Sequence, residues 1–186
     1  MDKVKIDRRV KLTILILQET LIECMQENHI SKISVKQLCE KADINRSTFY
    51  AHFQDQYDLL NYTCNEAIEN VKKHLGKQQF SDKKPISHQT LTRILEYAKE
   101  NADLFKALLS ENCDLDIQRK IMNEVMVYYP YAEYDERTSN YLSAFGLFGC
   151  ISILQIWFKD GMPESPSRLS EIIMQAIDKG ITSFNS

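Results

Sequence analysis

Apolar side chains near the amino end of the chain recur at intervals of three and four positions. The series consists of Val10, Ile14, Leu17, Leu21 and Met25. This spacing places all of them on one side of a helix, because an α-helix has about 3.6 residues per turn. The pattern therefore predicts one amphipathic helix over residues 8–28.

Two short helices are predicted next, each with a polar residue positioned to cap it. The hydroxyl of Ser34 can accept a hydrogen bond from the free N–H of Gln37, which favours a helix over residues 35–42. After a three-residue corner, Asn45 can cap a third helix over residues 46–52. A short helix, a tight turn and a second short helix together predict a helix-turn-helix.

The remainder of the chain is also predicted to be helical. Asp55 can cap a fourth helix through the N–H of Asp58, and the polar segment 77–88 is predicted to be the main loop. Further helices are predicted over residues 89–101, 102–110, 115–129, 136–159 and 167–183. The expected fold is therefore all-α, with a three-helix helix-turn-helix domain in residues 1–55 and a second helical domain in residues 56–186.

The composition agrees with a helical chain and restricts its class. Hydrophobic residues make up 44% of 186 positions, and five Gly and four Pro leave few points at which a helix is interrupted. Five widely spaced cysteines without a C-x-x-C pair argue against a disulfide framework or a zinc site and indicate a reduced, cytoplasmic protein. The apolar run 142–158 is better explained by a buried helix than by a membrane span, so no membrane partner is expected.

Charge is distributed unevenly along the chain. Residues 1–53 contain nine Lys and Arg against seven Asp and Glu, whereas the rest contains fourteen against nineteen. The positive excess is concentrated at Lys3, Lys5, Arg8, Arg9 and Lys11. Positive charge beside a helix-turn-helix favours contact with a nucleic-acid backbone, and a solvated charged segment is the alternative interpretation.

The third predicted helix has two chemically different faces. Phe49 and Phe53 lie four residues apart and can pack together against a small core. The opposite side carries Arg46, Ser47, Tyr50 and Ala51, flanked by Thr48 and His52. A guanidinium can bind guanine O6 and N7, small side chains let a helix approach a groove, and hydroxyl and imidazole groups can bind phosphate. These properties are typical of a DNA recognition helix, although a surface helix that only covers the core is the alternative.

The segment ISVKQLCEKADINRSTFYAHFQDQYDLL resembles the amino-terminal DNA-binding domain of the TetR family of transcriptional regulators. The family pattern is a capped helix, a tight turn, a helix that ends in Tyr-x-His-Phe, and a fourth helix that contains Leu. In this chain the corresponding residues are Tyr50, His52, Phe53 and Leu59. The likeness covers residues 8–60, and the carboxy-terminal two thirds resembles the family in size and helical character.

Three positions depart from the family pattern. Asp43 and His29 stand where the family has glycines, so Asp43 is expected to adopt the positive φ often found at that turn. Gln56 replaces a basic residue that often begins the fourth helix. Because Gln keeps a hydrogen bond but lacks the charge, this departure implies operator binding that is weaker or less salt-sensitive than in relatives.

The resemblance implies a set of DNA contacts. It assigns phosphate contacts to Thr48, Tyr50 and His52, and base-edge contacts to Arg46, Ser47 and Ala51. Lys36 and Gln56 are further groove or phosphate candidates, and Lys3, Lys5, Arg8 and Arg9 are candidates for arm-like contacts. The implied partner is double-stranded DNA carrying a palindromic operator.

The resemblance also implies that residues 56–186 form a regulatory and dimerisation domain of a homodimeric repressor, which a small-molecule effector releases from DNA. Candidate ligand-binding residues are Tyr97, Phe105, Met122, Met126, Tyr129, Tyr141, Phe145 and Trp157. Aromatic and Met residues at helical spacing also fit a plain core, which is the alternative for each of them. No cofactor and no metal are implied.

A strip of small residues predicts the dimer contact. Gly146 and Gly149 lie three apart in an otherwise bulky run, and this spacing lets a second helix approach closely. Apolar surface for a four-helix contact about a two-fold axis is expected from Ile153, Ile156, Ile172, Ile173 and Ile177.

The sequence also bears on two other functional classes, an enzyme and an adaptor. An enzyme is not expected, because the chain has no phosphate-binding glycine loop, no H-E-x-x-H or G-x-S-x-G motif, and no metal-ligand spacing among its four histidines. A co-activator or adaptor of the same fold, acting through a protein partner, is the alternative to a DNA-binding repressor. The loss of a basic residue at Gln56 keeps that alternative open, whereas the predicted exposure of Arg46 and Tyr50 argues against it.

Overall fold

The computed structural model describes residues 8–75, 87–125 and 134–182. Within these ranges the chain forms nine α-helices and one short 3₁₀ helix, so the expected all-α class is confirmed. The helices are α1 (Arg8–Glu27), α2 (Val35–Ala42), α3 (Arg46–Tyr50), α4 (Gln56–Leu75), α5 (His88–Glu100), α6 (Ala102–Leu109), α7 (Leu115–Val125), α8 (Glu136–Lys159) and α9 (Pro166–Thr182).

The predicted capping residues begin the helices as expected. The Ser34 hydroxyl accepts from the Gln37 N–H at 3.2 Å, and the Gln37 side chain accepts from the Ser34 N–H at 2.9 Å, which completes a capping box. Asn45 accepts from the N–H of Ser47 at 2.9 Å. Asp55 accepts from the N–H of Asp58 at 2.9 Å. These hydrogen bonds satisfy backbone donors that have no partner inside their own helices, so each helix starts at a defined residue.

The turn between α2 and α3 contains the expected left-handed residue. Asp43 has φ 53° and ψ 43°, and its N–H donates to the carbonyl of Cys39. Glycine adopts this conformation without steric cost, whereas Asp tolerates it better than most other residues. The 3₁₀ helix Ile30–Lys32 was not predicted. It forms because the His29 ring accepts from the N–H of Ser31 at 3.2 Å and thereby caps a single turn.

The amino-terminal helices enclose a small core that continues into the rest of the molecule. Helix α1 packs on α2, α4 and α6, and α2 packs on α3. In the other half, α5 packs along α9, α4 contacts α5 and α7, and α6 contacts α8. Buried side chains from both halves belong to one continuous cluster, which includes Leu21, Leu38, Phe49, Leu108 and Trp157. Burial of this shared cluster stabilises the two halves against each other.

Helix α8 has the predicted bounds, but the expectation that it is a buried helix is only partly correct. It is long and apolar enough to cross a membrane, yet only 33% of its most apolar stretch is buried in the chain. One side, with Cys150, Leu154 and Trp157, lies in the core. The other side is exposed and is called here the outer face of α8; it consists of Tyr141, Phe145, Phe148 and Ile156.

The strained turn at Asp43 leads to a stability prediction. Asp43→Gly is expected to raise the free energy of unfolding by about 0.5–1 kcal/mol, because glycine relieves the left-handed strain. As a matched comparison, Asp43→Val is expected to lower the free energy of unfolding by about 1–2 kcal/mol, because a β-branched residue disfavours positive φ. Urea unfolding measures both values. Equal stability of all three proteins would contradict the assigned conformation.

Candidate nucleic-acid interface

Helix α3 is anchored by Phe49 within it and by Phe53, which lies three residues after the helix ends at Tyr50, so α3 is shorter than the predicted range 46–52. Phe49 is 0% exposed and Phe53 is 5% exposed, and their ring centroids lie 5.8 Å apart. Tyr62 of α4 packs edge-on against Phe53, with ring centroids 5.5 Å apart, so α4 supports the residues that follow α3. These contacts orient the short helix, and they leave its opposite side in solvent.

The exposed side of α3 carries the side chains that were predicted to contact DNA. Arg46, Ser47, Tyr50 and Ala51 are all exposed. Tyr50 is 59% exposed, and its ring meets Phe49 edge-on at 5.7 Å, which restricts the ring while the hydroxyl remains in solvent. The structure therefore brings a guanidinium, a phenol and two small side chains together on one accessible surface.

The two flanking residues of this surface are half-buried. Thr48 and His52 lie at its edges, and the His52 ring sits 6.4 Å from the ring of Phe53 in an edge-on arrangement. Each retains partial exposure, as expected for groups that contact phosphate from the margin of a groove. Their placement agrees with the predicted orientation of the helix.

One contact at this surface was not foreseen. The Ser47 hydroxyl donates to the side-chain oxygen of Asn45 at 3.0 Å, and the Ser47 backbone N–H donates to the same oxygen at 2.9 Å. The Ser47 side chain is thus held in one orientation and presents its oxygen outward as an acceptor. The sequence signal for this contact is the Asn-x-Ser spacing at the start of the helix.

The peripheral candidates are placed as follows. Lys36 is exposed near the start of α2 and lies 3.8 Å from the carboxylate of Glu40, a surface pair that water screens strongly. Gln56 is the first residue of α4 and is half-buried. Arg8 and Arg9 are exposed at the start of α1, whereas Lys3 and Lys5 lie outside the described residues. Lys36 is the second residue of α2 and Gln56 is the first residue of α4, which are the helices on either side of α3.

The predicted ligand-binding residues do not gather around one cavity in the described part of the chain. Tyr97 and Phe105 do meet, with ring centroids 5.8 Å apart, and Tyr97 borders a surface groove of about 450 Å³ between α1, α4 and α5. Trp157 is buried, and its indole N–H donates to the Glu164 carbonyl at 3.1 Å. Tyr141 and Phe145 lie instead on the outer face of α8. The side chain of Met122, as well as Met126 and Tyr129, lies outside the described residues.

The cysteines have the properties of structural thiols. Burial raises the pKa of Cys113 to about 12 and the pKa values of Cys64 and Cys150 to about 11. A thiol must ionise to react, so these raised pKa values make the three side chains poor nucleophiles at neutral pH. Cys113 is also buried, so its position in the core and its raised pKa both argue against a redox role for this thiol.

Comparison with known proteins gives three findings on this fold. A TetR-type family model described as "Transcriptional regulator C-terminal region" matches residues 87–179, which is half of the chain. Among curated proteins, the uncharacterized HTH-type transcriptional regulator YxbF of Bacillus subtilis (strain 168) is 24% identical over 104 residues. That match covers 50% of this chain and 26% of the relative, so it spans about a quarter of the relative's length.

Two solved structures have the same fold. A TetR transcriptional regulator from Streptococcus agalactiae 2603V is 23% identical, with a TM-score of 0.66 over 92% of this chain and 96% of the other. The dihydroxyacetone kinase operon activator DhaS is 19% identical, with a TM-score of 0.52 over 92% of this chain and 97% of the other. At these identities the structural likeness establishes the shared fold alone.

Proposed function

The chain belongs to the TetR family of transcriptional regulators, and from that premise we propose that it is a cytoplasmic repressor that binds a palindromic DNA operator as a homodimer. We further propose that a small-molecule effector releases it from the operator. One observation carries the DNA-binding proposal: α3 and the turn that follows it bury Phe49 and Phe53, and Arg46 and Tyr50 of α3 stay in solvent. A reading helix requires this division between anchoring and contacting side chains.

Within the proposed interface, side chains divide into groups that read bases and groups that bind the backbone. Arg46 is the candidate for a bidentate contact to guanine, while Ser47 and Ala51 allow the helix to lie close to the base edges. Tyr50, Thr48 and His52 are proposed to bind phosphate, which fixes the register of the helix without reading sequence. Lys36 and Gln56 are proposed to contact DNA at the margins of the groove that α3 enters.

The proposed homodimer uses the outer face of α8. Tyr141 is 63% exposed, Phe145 66% and Ile156 60%, which is unusual for apolar side chains gathered on one helix face. The expected contribution of Ile173 to the dimer contact is wrong, because Ile173 is 0% exposed and lies in the chain's own core. Burial of the outer face against its two-fold copy removes this apolar surface from water.

The effector proposal depends on the carboxy-terminal half. The family model that matches residues 87–179 describes this region as part of a transcriptional regulator. Tyr97 borders a groove that also contacts α1, so a ligand there would touch both halves of the molecule. This position is suited to a signal that changes the relation between the two halves.

A second candidate function is an activator that works through a protein partner. The related structure DhaS is described as an operon activator, and this chain has the uncharged Gln56 at the start of α4. Binding to random-sequence duplex at several salt concentrations separates the two functions. A repressor that neutralises phosphates loses affinity steeply as salt rises, whereas an adaptor shows no DNA binding to lose.

The first prediction concerns base reading by α3. Arg46→Ala is expected to cost about 1–3 kcal/mol of operator binding and to relax the preference at one base pair in each half-site. Tyr50→Phe and His52→Ala are expected to weaken binding to operator and random DNA alike, because phosphate contacts carry no base information. Fluorescence anisotropy with both duplexes measures this. An equal loss on both duplexes for Arg46→Ala would show that its role is misassigned.

The second prediction concerns the dimer. Gly149 lies beside the outer face of α8, and apart from its sequence neighbours and its own helix backbone nothing lies within 4 Å of the position of a Cβ, so the isolated chain accommodates a side chain there. Gly149→Glu is expected to split the dimer, because it buries an unpaired charge in the contact, and to abolish tight operator binding. Light scattering and far-UV circular dichroism should show a folded monomer.

Ser143→Glu is the matched control for this variant, because Ser143 is an exposed residue on a different side of α8. It adds the same charge to the same helix and should leave the dimer intact. A wild-type protein that is monomeric at micromolar concentration, both with and without DNA, would contradict the proposed assembly.

The third prediction concerns the effector. A small apolar or aromatic compound that binds the carboxy-terminal half is expected to raise the melting temperature and to lower operator affinity. At a ligand concentration of about 100 times Kd, the stabilisation should approach about 2.7 kcal/mol. Thermal-shift screening followed by operator binding measures both effects. Stabilising compounds that leave operator affinity unchanged would count against release by an effector.

A further inference from the structure

The carboxyl end of α1 leaves backbone groups that its own helix cannot pair. The last four carbonyls of an α-helix have no N–H partner further along the helix, and Met25 is one of these residues. Asn28 donates its backbone N–H to the carbonyl of Cys24 at 3.0 Å, which satisfies one of the four. The side chains of Met25 and Ile30 are buried, so the backbone at this corner is sheltered from water, and a group left unpaired there would be costly.

Asn112, from the other half of the molecule, pairs with two backbone groups of this corner. Asn112 lies in the turn between α6 and α7, and its side-chain N–H donates to the carbonyl of Met25 at 3.0 Å. The backbone carbonyl of Asn112 accepts from the N–H of Ile30, also at 3.0 Å. The same residue therefore caps α1 and holds the start of the 3₁₀ helix that leads to α2. A nearby contact, from the Gln26 side chain to the carbonyl of Asp103 at 3.0 Å, is exposed to solvent.

Side chains of α7 and α8 hold the turn that carries Asn112 through hydrogen bonds. Gln155 of α8 donates its side-chain N–H to the carbonyl of Leu109 at 2.6 Å. Gln118 of α7 donates to the carbonyl of Ser110, and the Ser110 hydroxyl accepts from the N–H of Asn112 at 3.2 Å. Hydrogen bonds joined by the backbone of residues 109–112 thus connect α8, which carries the proposed dimer contact, to the end of α1, which packs on the second helix of the helix-turn-helix.

We propose that Asn112 is a positioning residue that fixes the orientation of the helix-turn-helix relative to the dimer, and so sets the half-site spacing that the dimer accepts. This inference rests on the proposed function, because half-site spacing exists only for a dimer on a palindrome. One base pair of added spacing moves a half-site by about 3.4 Å and rotates it by about 34–36° around the duplex. A helix-turn-helix held by the hydrogen bond from Asn112 to Met25 cannot move with a displaced half-site. Without that hydrogen bond, the helix-turn-helix can move with it.

The test uses the full-length protein and an operator selected in vitro by the wild-type chain from random duplexes. Affinity is then measured for the selected operator and for versions with one base pair inserted or removed between the half-sites. The wild-type dimer is expected to lose about tenfold or more in affinity for each altered spacing. Asn112→Ala is expected to bind all three spacings within about threefold of one another, with weaker binding to the selected operator.

The matched control is Asn28→Ala. Asn28 also donates its side-chain N–H to a carbonyl at the end of α1, that of Cys24 at 3.5 Å, but this bond stays within one helix end. The Asn28→Ala protein should therefore keep the wild-type preference for half-site spacing. Asn112→Asp keeps the size of the side chain but lacks its N–H donor, so it replaces Asn112→Ala in the test if the alanine variant does not fold. It is expected to tolerate all three half-site spacings as Asn112→Ala does.

Hydrogen exchange without DNA makes failure of this inference distinguishable from failure of the proposed function. Loss of the bond from Asn112 should speed amide exchange in residues 28–33 and leave the exchange of α9 unchanged. If the wild-type chain selects no palindrome, the proposed function fails, whereas unchanged exchange in residues 28–33 overturns the role of Asn112 by itself. An Asn112 variant with faster exchange but the wild-type spacing preference also overturns it.

Discussion

Burial of Phe49 is the interaction on which the proposed reading surface depends. Helix α3 has only five residues, and an isolated helix of that length is unstable in water because nucleation costs more than a few hydrogen bonds return. Its conformation therefore comes from packing of Phe49 and Phe53 into the core shared with α1 and α2. Because these rings fix the rotation of the helix, they also decide that Arg46 and Tyr50 face solvent.

Local signals were sufficient to predict most of the helix boundaries. Ser34, Asn45 and Asp55 each begin a helix as expected, since a cap depends on side-chain chemistry within three residues of the donor it satisfies. The left-handed turn at Asp43 was predicted because the family likeness placed a glycine there. The 3₁₀ helix at Ile30–Lys32 was missed, since one turn is too short to produce a periodic apolar pattern.

Contacts between distant residues were not predictable in the same way. Asn112 and Met25 are separated by 87 positions, and neither lies in a motif that suggests a partner. The role of the outer face of α8 was likewise not predictable from local pattern. A periodic pattern identifies apolar residues but does not say whether they pack inside the chain or against a second copy. That ambiguity explains why Ile173, which is buried, and Ile156, which is exposed, were assigned to the same strip.

The chain is negative overall, as DNA is, but its charge is distributed unevenly, which allows the amino-terminal part to bind DNA. The formal net charge is -3, yet residues 1–53 have an excess of Lys and Arg while the remainder has an excess of Asp and Glu. A duplex repels the acidic half and attracts the amino-terminal half, so the electrostatic field turns the protein with α3 toward the DNA before any contact forms. Gln56 leaves α4 without a positive charge at its first residue, so in the proposed interface the attraction would depend on Arg46, Lys36 and the arginines that begin α1. If the proposed interface is correct, the uncharged residue at position 56 makes binding depend less on long-range attraction and more on contacts in the groove, where sequence is read.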